Sequence, residues 1–105
     1  MAGAGRTVRM AIEQATETLD SERDPVTTWS PYVTVWAKLT PLSGRELYTA
    51  RQLFADVTHE IETGYVAGVH PKMRGRVEQR TFDFASVRNV GDRNRDLSIL
   101  AVERV

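Results

Sequence analysis

Residues 35–62, with the sequence VWAKLTPLSGRELYTARQLFADVTHEIE, decide the fold. Between Tyr32 and Leu39 every second residue is Val, Ala or Leu, and this alternation is typical of a half-buried strand. Pro41 ends the strand because proline has no N–H for a sheet ladder. Residues 57–62 alternate again. The stretch therefore predicts a strand, a short helix and a second strand.

The start of the predicted helix fits a capping box. In this motif the Ser43 hydroxyl accepts a hydrogen bond from the Glu46 N–H, and the Glu46 carboxylate accepts one from the Ser43 N–H. Leu47, Ala50 and Phe54 follow at helical spacing. A helix of about three turns is too short to be stable alone in water. We therefore expect these three side chains to pack on the sheet.

The rest of the chain reads as short strands joined by polar turns. A break in alternation predicts a β-bulge near Ala85 and Ser86. Residues 19–28 are polar and contain proline, which predicts a loop, and Trp29 is expected to cover one end of a barrel. The remaining strands are predicted at 7–14, 57–66, 72–77, 81–90 and 97–102.

These elements predict a mainly β fold. The expected architecture is a small antiparallel β-barrel or sandwich of about five to six strands, with one short α-helix between strands 2 and 3. The 105 residues form a single domain, in which residues 1–6 are a flexible N-terminal tail.

Composition points to protein partners. Fourteen basic residues balance fourteen acidic residues, whereas a nucleic-acid-binding domain normally has a basic surplus. The chain has no cysteine, so it has no disulfide and no thiolate metal site. No apolar run is long enough to cross a membrane, and we expect no membrane partner.

No residue pattern indicates catalysis. The chain has two histidines, and His59 alternates in phase with Val57 and Ile61, which indicates a partly buried strand histidine. No glycine-rich phosphate loop follows a strand. We therefore expect no enzyme activity, no cofactor and no metal.

Two segments differ in charge. Residues 17–24 carry four carboxylates against one arginine, and residues 72–80 carry four basic residues against one glutamate. They are either two solvated segments or the two sides of a head-to-tail subunit contact, which forms a ring if it closes. The candidates for that contact are Asp20, Glu22, Asp24, Lys72, Arg74 and Arg76.

The order of motifs along nearly the whole chain resembles phage head-tail joining proteins, the head-closure or stopper proteins of long-tailed phage necks. The motifs are Val35-Trp36-Ala37, Pro41-Leu42-Ser43-Gly44-Arg45-Glu46, Asp20 to Trp29, Gly68-Val69-His70-Pro71-Lys72-Met73-Arg74, Arg80-Thr81-Phe82-Asp83-Phe84 and Asp92-Arg93-Asn94-Arg95.

This resemblance implies a small β-barrel with one helix and a non-enzymatic role in the virion. It implies a ring below the portal and its adaptor that forms after DNA packaging, closes the DNA channel and gives the tail a docking surface. The implied partners are the portal or adaptor ring, tail proteins and further copies of itself, although the free chain can be a monomer. Packaged DNA is only a passive contact. The implied location is the virion neck, with assembly in the host bacterial cytoplasm.

The resemblance also implies a partner-facing or channel-facing segment between strands 2 and 3. Its residues are Leu42, Ser43, Gly44, Arg45, Glu46 and Tyr48.

The alternative interpretation is a small-barrel nucleic-acid-binding module. Such a module needs exposed aromatic residues on a basic face, and Tyr32, Trp36 and Lys38 share one face of the second predicted strand. The neutral net charge counts against it.

Overall fold

Six antiparallel strands form a closed barrel in the computed structural model, which describes residues 5–104. The barrel order is β1-β2-β3-β6-β5-β4, and β4 closes on β1. The predicted mainly β fold of five to six antiparallel strands, with one helix between strands 2 and 3, is confirmed, and of the two predicted architectures the strand order gives the barrel. The elements are β1 (Val8–Leu19), β2 (Pro25–Pro41), α1 (Gly44–Leu53), β3 (His59–Gly64), β4 (Arg74–Val77), β5 (Arg80–Asn89), a 3-10 turn (Val90–Asp92) and β6 (Asp96–Arg104).

The core lies inside the barrel and takes side chains from every strand. Because successive strand residues point to opposite faces, alternate residues fill the interior. Gly75 lies among them, and a Cβ at this position would overlap the Met10 Sδ atom and approach the Phe84 ring. The core residues are Met10, Ile12, Ala37, Ile61, Met73, Val77, Phe82, Phe84, Leu97, Ile99 and Ala101.

Two β-bulges interrupt the ladders. The predicted bulge in β5 is confirmed, because the β5–β6 register shifts between Phe84 and Ser86. The second bulge was not predicted. Ile12 pairs with Val33 while Glu13 pairs with Pro31, so β2 has one extra residue. A bulge bends its strand and increases the local twist.

Beyond this second bulge, β1 and β2 leave the barrel as a two-stranded ribbon. The predicted end of the first strand at residue 14 is wrong, since the ladder runs on from Gln14–Ser30 to Leu19–Pro25. The loop predicted over residues 19–28 is confirmed only for residues 20–24, and its remaining residues belong to the two strands. β-Branched residues, which favour strands, explain the difference. We call residues 14–30 the arm.

A five-residue turn closes the arm. The Asp20 Oδ1 atom accepts hydrogen bonds from the N–H groups of Glu22 and Asp24, each at 2.8 Å. Arg23 adopts a positive φ of 66° in this turn. The molecule measures 49 × 29 × 28 Å. Its long axis exceeds the others by about 20 Å, which matches six residues of extended strand.

The N-terminal segment is partly anchored. Residues 1–4 of the predicted tail lie outside the described residues. Arg6 is the last residue of the predicted tail, and its guanidinium donates to the Asp96 Oδ1 atom at 2.6 Å and lies 3.6 Å from a Glu62 carboxylate oxygen. The Arg6 side chain is only 8% exposed.

The start of α1 is at the predicted place but lacks the predicted bond. Ser43 is the N-cap residue, yet its side chain makes no capping hydrogen bond, so the capping box is wrong. Gly44 adopts a positive φ of 56°, which favours glycine at the first helical position. The first helical hydrogen bond runs from the Leu47 N–H to the Ser43 carbonyl, at 3.3 Å.

Candidate assembly surfaces

Helix α1 is tied to the barrel at its ends but packs weakly along its length. The Leu42 N–H donates to the Thr58 carbonyl at 3.0 Å, and the Arg51 Nε–H donates to the Val57 carbonyl at 3.2 Å. None of the helix residues is buried, and Tyr48 and Leu53 are 69% and 77% exposed.

The expectation that Leu47, Ala50 and Phe54 belong to the core is therefore wrong. All three are only half-buried, and none belongs to the buried core cluster. The physical reason is that strand side chains already fill the closed barrel. A helix outside such a barrel can contact only the outward faces of the strands.

A groove of about 590 Å³ separates α1 from the outer face of β3 and β6. Leu100 of β6 points outward and forms the groove floor together with residues of the helix. An apolar patch with a polar rim is typical of an interaction site. The lining residues are Leu42, Ala50, Leu53 and Leu100, with Arg45, Glu46, Thr49 and Glu60.

The predicted partner-facing segment thus lies on the surface. Leu42, Arg45 and Glu46 line the groove, whereas Ser43, Gly44 and Tyr48 are exposed beside it. The structure brings these six residues to one end of α1.

The arm presents a second exposed surface. Leu19 of β1 pairs with Pro25, and Val26 of β2 pairs with Thr18, so these two apolar side chains lie close to the turn on opposite faces of the ribbon. They are 65% and 41% exposed. Glu22 and Asp24 are exposed at the tip. Asp20 is also exposed, but its carboxylate already accepts two backbone hydrogen bonds in the turn.

The three basic contact candidates lie in different surroundings. The Arg74 Nε atom donates to the Glu13 carboxylate at 2.7 Å, and its guanidinium lies 4.1 Å from the centre of the Trp29 ring. Arg76 is exposed on the outer face of β4, and Lys72 is exposed in the turn before it. Trp29 is half-buried at the root of the arm, where β1 pairs with β2 alone.

Arg9 is a candidate that the sequence did not reveal. Its guanidinium lies 4.9 Å from the centre of the Trp36 ring, and Trp36 is 52% exposed. Arg9 and Arg76 both line an open groove of about 360 Å³ on the outer barrel face. Within residues 5–104 neither arginine forms an ion pair. The groove is lined by Arg9, Ala11, Glu13, Thr34, Arg76 and Glu78.

The aromatic face of the nucleic-acid alternative is partly occupied by the chain itself. The Tyr32 hydroxyl donates to the Ala67 carbonyl at 2.6 Å and lies against Gly68, which has a positive φ of 87°. Trp36 is covered on one side by Arg9. Lys38 is exposed. Tyr32 therefore holds the loop between β3 and β4 and is not free to stack on a base.

His59 is partly buried, as predicted. It is 8% exposed, and its ring meets the Phe82 ring edge-on with 5.1 Å between centres. Burial lowers the pKa of His59, and the Arg80 guanidinium lowers it further, whereas the Glu103 carboxylate 3.9 Å away opposes them. The lowered pKa favours the neutral imidazole at pH 7. A hydrogen bond from Arg80 also holds the pKa of Glu103 below its usual value.

Residues 5–104 contain neither a metal-binding cluster nor a membrane-spanning helix. Over residues 5–104, no three histidine or acidic side chains converge on a point that could hold a metal ion. In the same part of the chain, α1 is the only α-helix, and it is too short and too polar to cross a membrane.

Comparison with known proteins agrees with the fold. A model of the phage head completion protein family matches residues 4–104. A protein of Shigella flexneri 2a with a known solution structure has a TM-score of 0.73 at 23% identity, covering 94% of each chain. A chain of the virion of a native gene transfer agent particle has a TM-score of 0.63 at 21% identity, covering 92% of this chain and 94% of its own. No curated protein sequence matches.

Proposed function

Because the chain belongs to the phage head completion protein family, we propose that it forms a ring in the virion neck, below the portal and its adaptor. The family gives the chain a structural role in the phage particle. The ring forms after DNA packaging in the host cytoplasm, closes the DNA channel and presents the docking surface for the tail. The protein contributes no catalytic step.

The main support is the contrast between a closed barrel and two elements outside it that bury almost nothing. Helix α1 has no buried residue, and every residue of β1 beyond Glu13 is exposed. An isolated monomer gains little from such elements, whereas a protein that assembles can bury them between subunits or partners. The fold shared with a chain of a gene transfer agent virion agrees with this role.

We assign the adaptor contact to α1 and its groove. The groove has an apolar floor formed by Leu53 and Leu100 and a charged rim that includes Arg45 and Glu46. This composition resembles the core and rim of a protein interface. The exposed Tyr48 ring extends the surface beside it. In the assembled neck, packaged DNA touches this end of the ring only passively.

The test is the mass of the purified protein, alone and mixed with the candidate adaptor ring, by light scattering after gel filtration. We expect a complex of defined mass with wild type. Leu53→Ser together with Tyr48→Ser should weaken it at least tenfold, because both side chains lie on the proposed surface. Val90→Ser is the control, since Val90 is 37% exposed and lies outside the groove.

If the protein joins none of its candidate neck partners, the proposal is contradicted. If the groove variants bind as well as wild type, the assignment of the contact to α1 is wrong.

A further inference from the structure

We propose that the arm of one copy docks on the outer barrel face of a second copy, with its acidic tip against Arg9 and Arg76. This inference rests on the proposed ring and identifies its subunit contact. The arm supplies one side of the contact, and the groove shared by Arg9 and Arg76 supplies the other.

Beyond its root, where Arg74 lies against Trp29, the arm pairs with no further strand in residues 5–104. β4 pairs with β1 only as far as Glu13, and β3 pairs with β2 only from Ala37 onward. Residues 14–19 and 25–30 therefore pair with each other alone. A two-stranded ribbon is at best marginally stable in water, so a second surface that covers one face of it, with either Leu19 or Val26, would stabilise the arm.

The charges on the two surfaces are complementary at Arg9 and Arg76, although the same groove also holds Glu78 and Glu13, of which Glu13 is paired with Arg74. Glu17, Glu22 and Asp24 form no ion pair within residues 5–104, and the same holds for Arg9 and Arg76. Carboxylates gathered at one tip repel one another, and this repulsion falls when arginines approach. Complementary potentials favour a second copy of this chain as the occupant of the groove.

The two surfaces cannot meet within one molecule. Arg76 of β4 pairs with Ala11 of β1 in the barrel. Asp20 follows the other end of β1, where the turn of the arm begins. Nine residues of extended strand lie between Ala11 and Asp20, so the groove and the tip of the arm are about 30 Å apart. Each copy therefore offers its arm to one neighbour and its groove to another. Such a head-to-tail contact generates a closed ring or an open filament.

Arg74 fixes the direction of the arm and does not contact the neighbour directly. It lies at the root of the arm between the Glu13 carboxylate and the Trp29 ring, and its side chain is only 22% exposed. The sequence-based assignment of Arg74 to the subunit contact is therefore replaced by a positioning role. Arg76 and Arg9 take the contact role.

Charge reversal on each side, and then on both sides, tests the contact. The arm variant is Glu17→Arg with Glu22→Arg, and the face variant is Arg9→Glu with Arg76→Glu. Self-association is measured by sedimentation velocity over a concentration series at low salt, because added salt screens the contact. We expect each variant to weaken association at least tenfold, and the combination of both to restore it.

A matched control separates this contact from net charge. Arg88 and Arg93 are exposed outside the groove, so Arg88→Glu with Arg93→Glu changes the charge as much as the face variant does. We expect this control to associate like wild type. Since the chain has no cysteine, E22C mixed with R76C should form a disulfide between copies, and E22C mixed with R88C should not.

The inference is overturned if wild type stays monomeric at millimolar concentration, if both variants associate normally, or if the combined variant stays as weak as either alone. These outcomes do not decide the proposed neck role. If the protein binds the adaptor through α1 while its arm variants associate normally, the proposed neck role is retained and the proposed subunit contact is rejected.

Discussion

The barrel and the arm are made of the same two strands, yet they obey different constraints. Inside the barrel, Met10 and Ile12 of β1 are fully buried, whereas Leu19 of the same strand is 65% exposed. The bulge after Ile12 separates the two regions. The barrel buries the hydrophobic core of the chain, whereas β1 buries nothing beyond Glu13, and we propose that the arm is covered only in an assembly.

Helix α1 resembles the arm in this respect. Both are held at their ends, by the Leu42–Thr58 hydrogen bond for the helix and by Arg74 for the arm, and both leave apolar side chains exposed. The comparison predicts that substitutions in the barrel reduce the free energy of unfolding, whereas substitutions in α1 and the arm reduce binding.

The largest effect is expected at Phe82. Phe82→Ala removes a fully buried ring from the barrel core and should lower the free energy of unfolding by about 3–5 kcal/mol. Leu53→Ser on α1 should change it by less than about 0.5 kcal/mol, because Leu53 is 77% exposed. Urea unfolding followed by circular dichroism measures both. Equal losses would show that the helix is part of the stable core after all.

The next largest effect is a difference in stability loss between alanine substitutions at two glycines of the barrel. Gly75→Ala places a methyl group on Met10 and 3.2 Å from the Phe84 Cε1 atom, and should cost about 1–3 kcal/mol. Gly64→Ala meets nothing within 4 Å and should cost far less. Thermal unfolding of the two variants makes the comparison. A stable Gly75→Ala protein would mean that the core has room that the structure does not show.

A smaller effect is expected at the start of α1. Gly44→Ala should cost about 1 kcal/mol because Gly44 has a positive φ of 56°. Ser43→Ala should cost only a few tenths, less than the usual loss of about 1 kcal/mol at an N-cap, because Ser43 makes no side-chain capping bond. Denaturant titration of each variant measures the difference. A larger loss for Ser43→Ala would restore the capping box.

The smallest effect is expected from a change of pH, because the Glu103 carboxylate offsets part of the lowering that burial causes in the pKa of His59. The pKa of His59 lies below its ordinary value of 6.5, so the unfolded chain takes up the proton first as the pH falls below 6.5. The free energy of unfolding should therefore decrease between about pH 7 and about pH 5. His59→Gln should remove this decrease. An unchanged pH dependence in that variant would assign it to another group.

The sequence was informative wherever one face of an element is buried. The alternation of β3 around Ile61 and the break in β5 near Ala85 predicted real features, because burial on one face produces a period of two. The arm was missed for the opposite reason. Its residues are exposed on both faces, so Thr16 and Thr28 read as a loop although they pair with each other.

The candidate surfaces were predicted only in part. The sequence does not distinguish Arg74 from Arg76. In the structure Arg74 contacts Glu13 and Trp29, whereas Arg76 is exposed. Arg9 was missed because its position opposite Trp36 depends on the hairpin register. A longer predicted hairpin closed at residues 20–24 would still have paired Arg9 with Val35, because the bulge between Ile12 and Glu13 shifts the register by one residue.

The nucleic-acid alternative stays a prediction. Trp36 is exposed and Arg9 lies on its ring, but Tyr32 is engaged with Ala67. Salt-dependent binding of single-stranded DNA, lost in the face variant, would favour it over a subunit contact.

The closure of the barrel also sets the order in which the chain can fold. The contact that joins β1 to β4 brings together Glu13 and Arg74, which are 61 residues apart in the chain. Hairpins form in roughly 1–10 μs, whereas folds dominated by distant pairings need milliseconds to seconds. We therefore expect the β1–β2 hairpin, arm included, to form before the barrel closes and to stay exposed until then. During that interval its unpaired edges are open to neighbouring chains, so the refolding yield should fall as protein concentration rises.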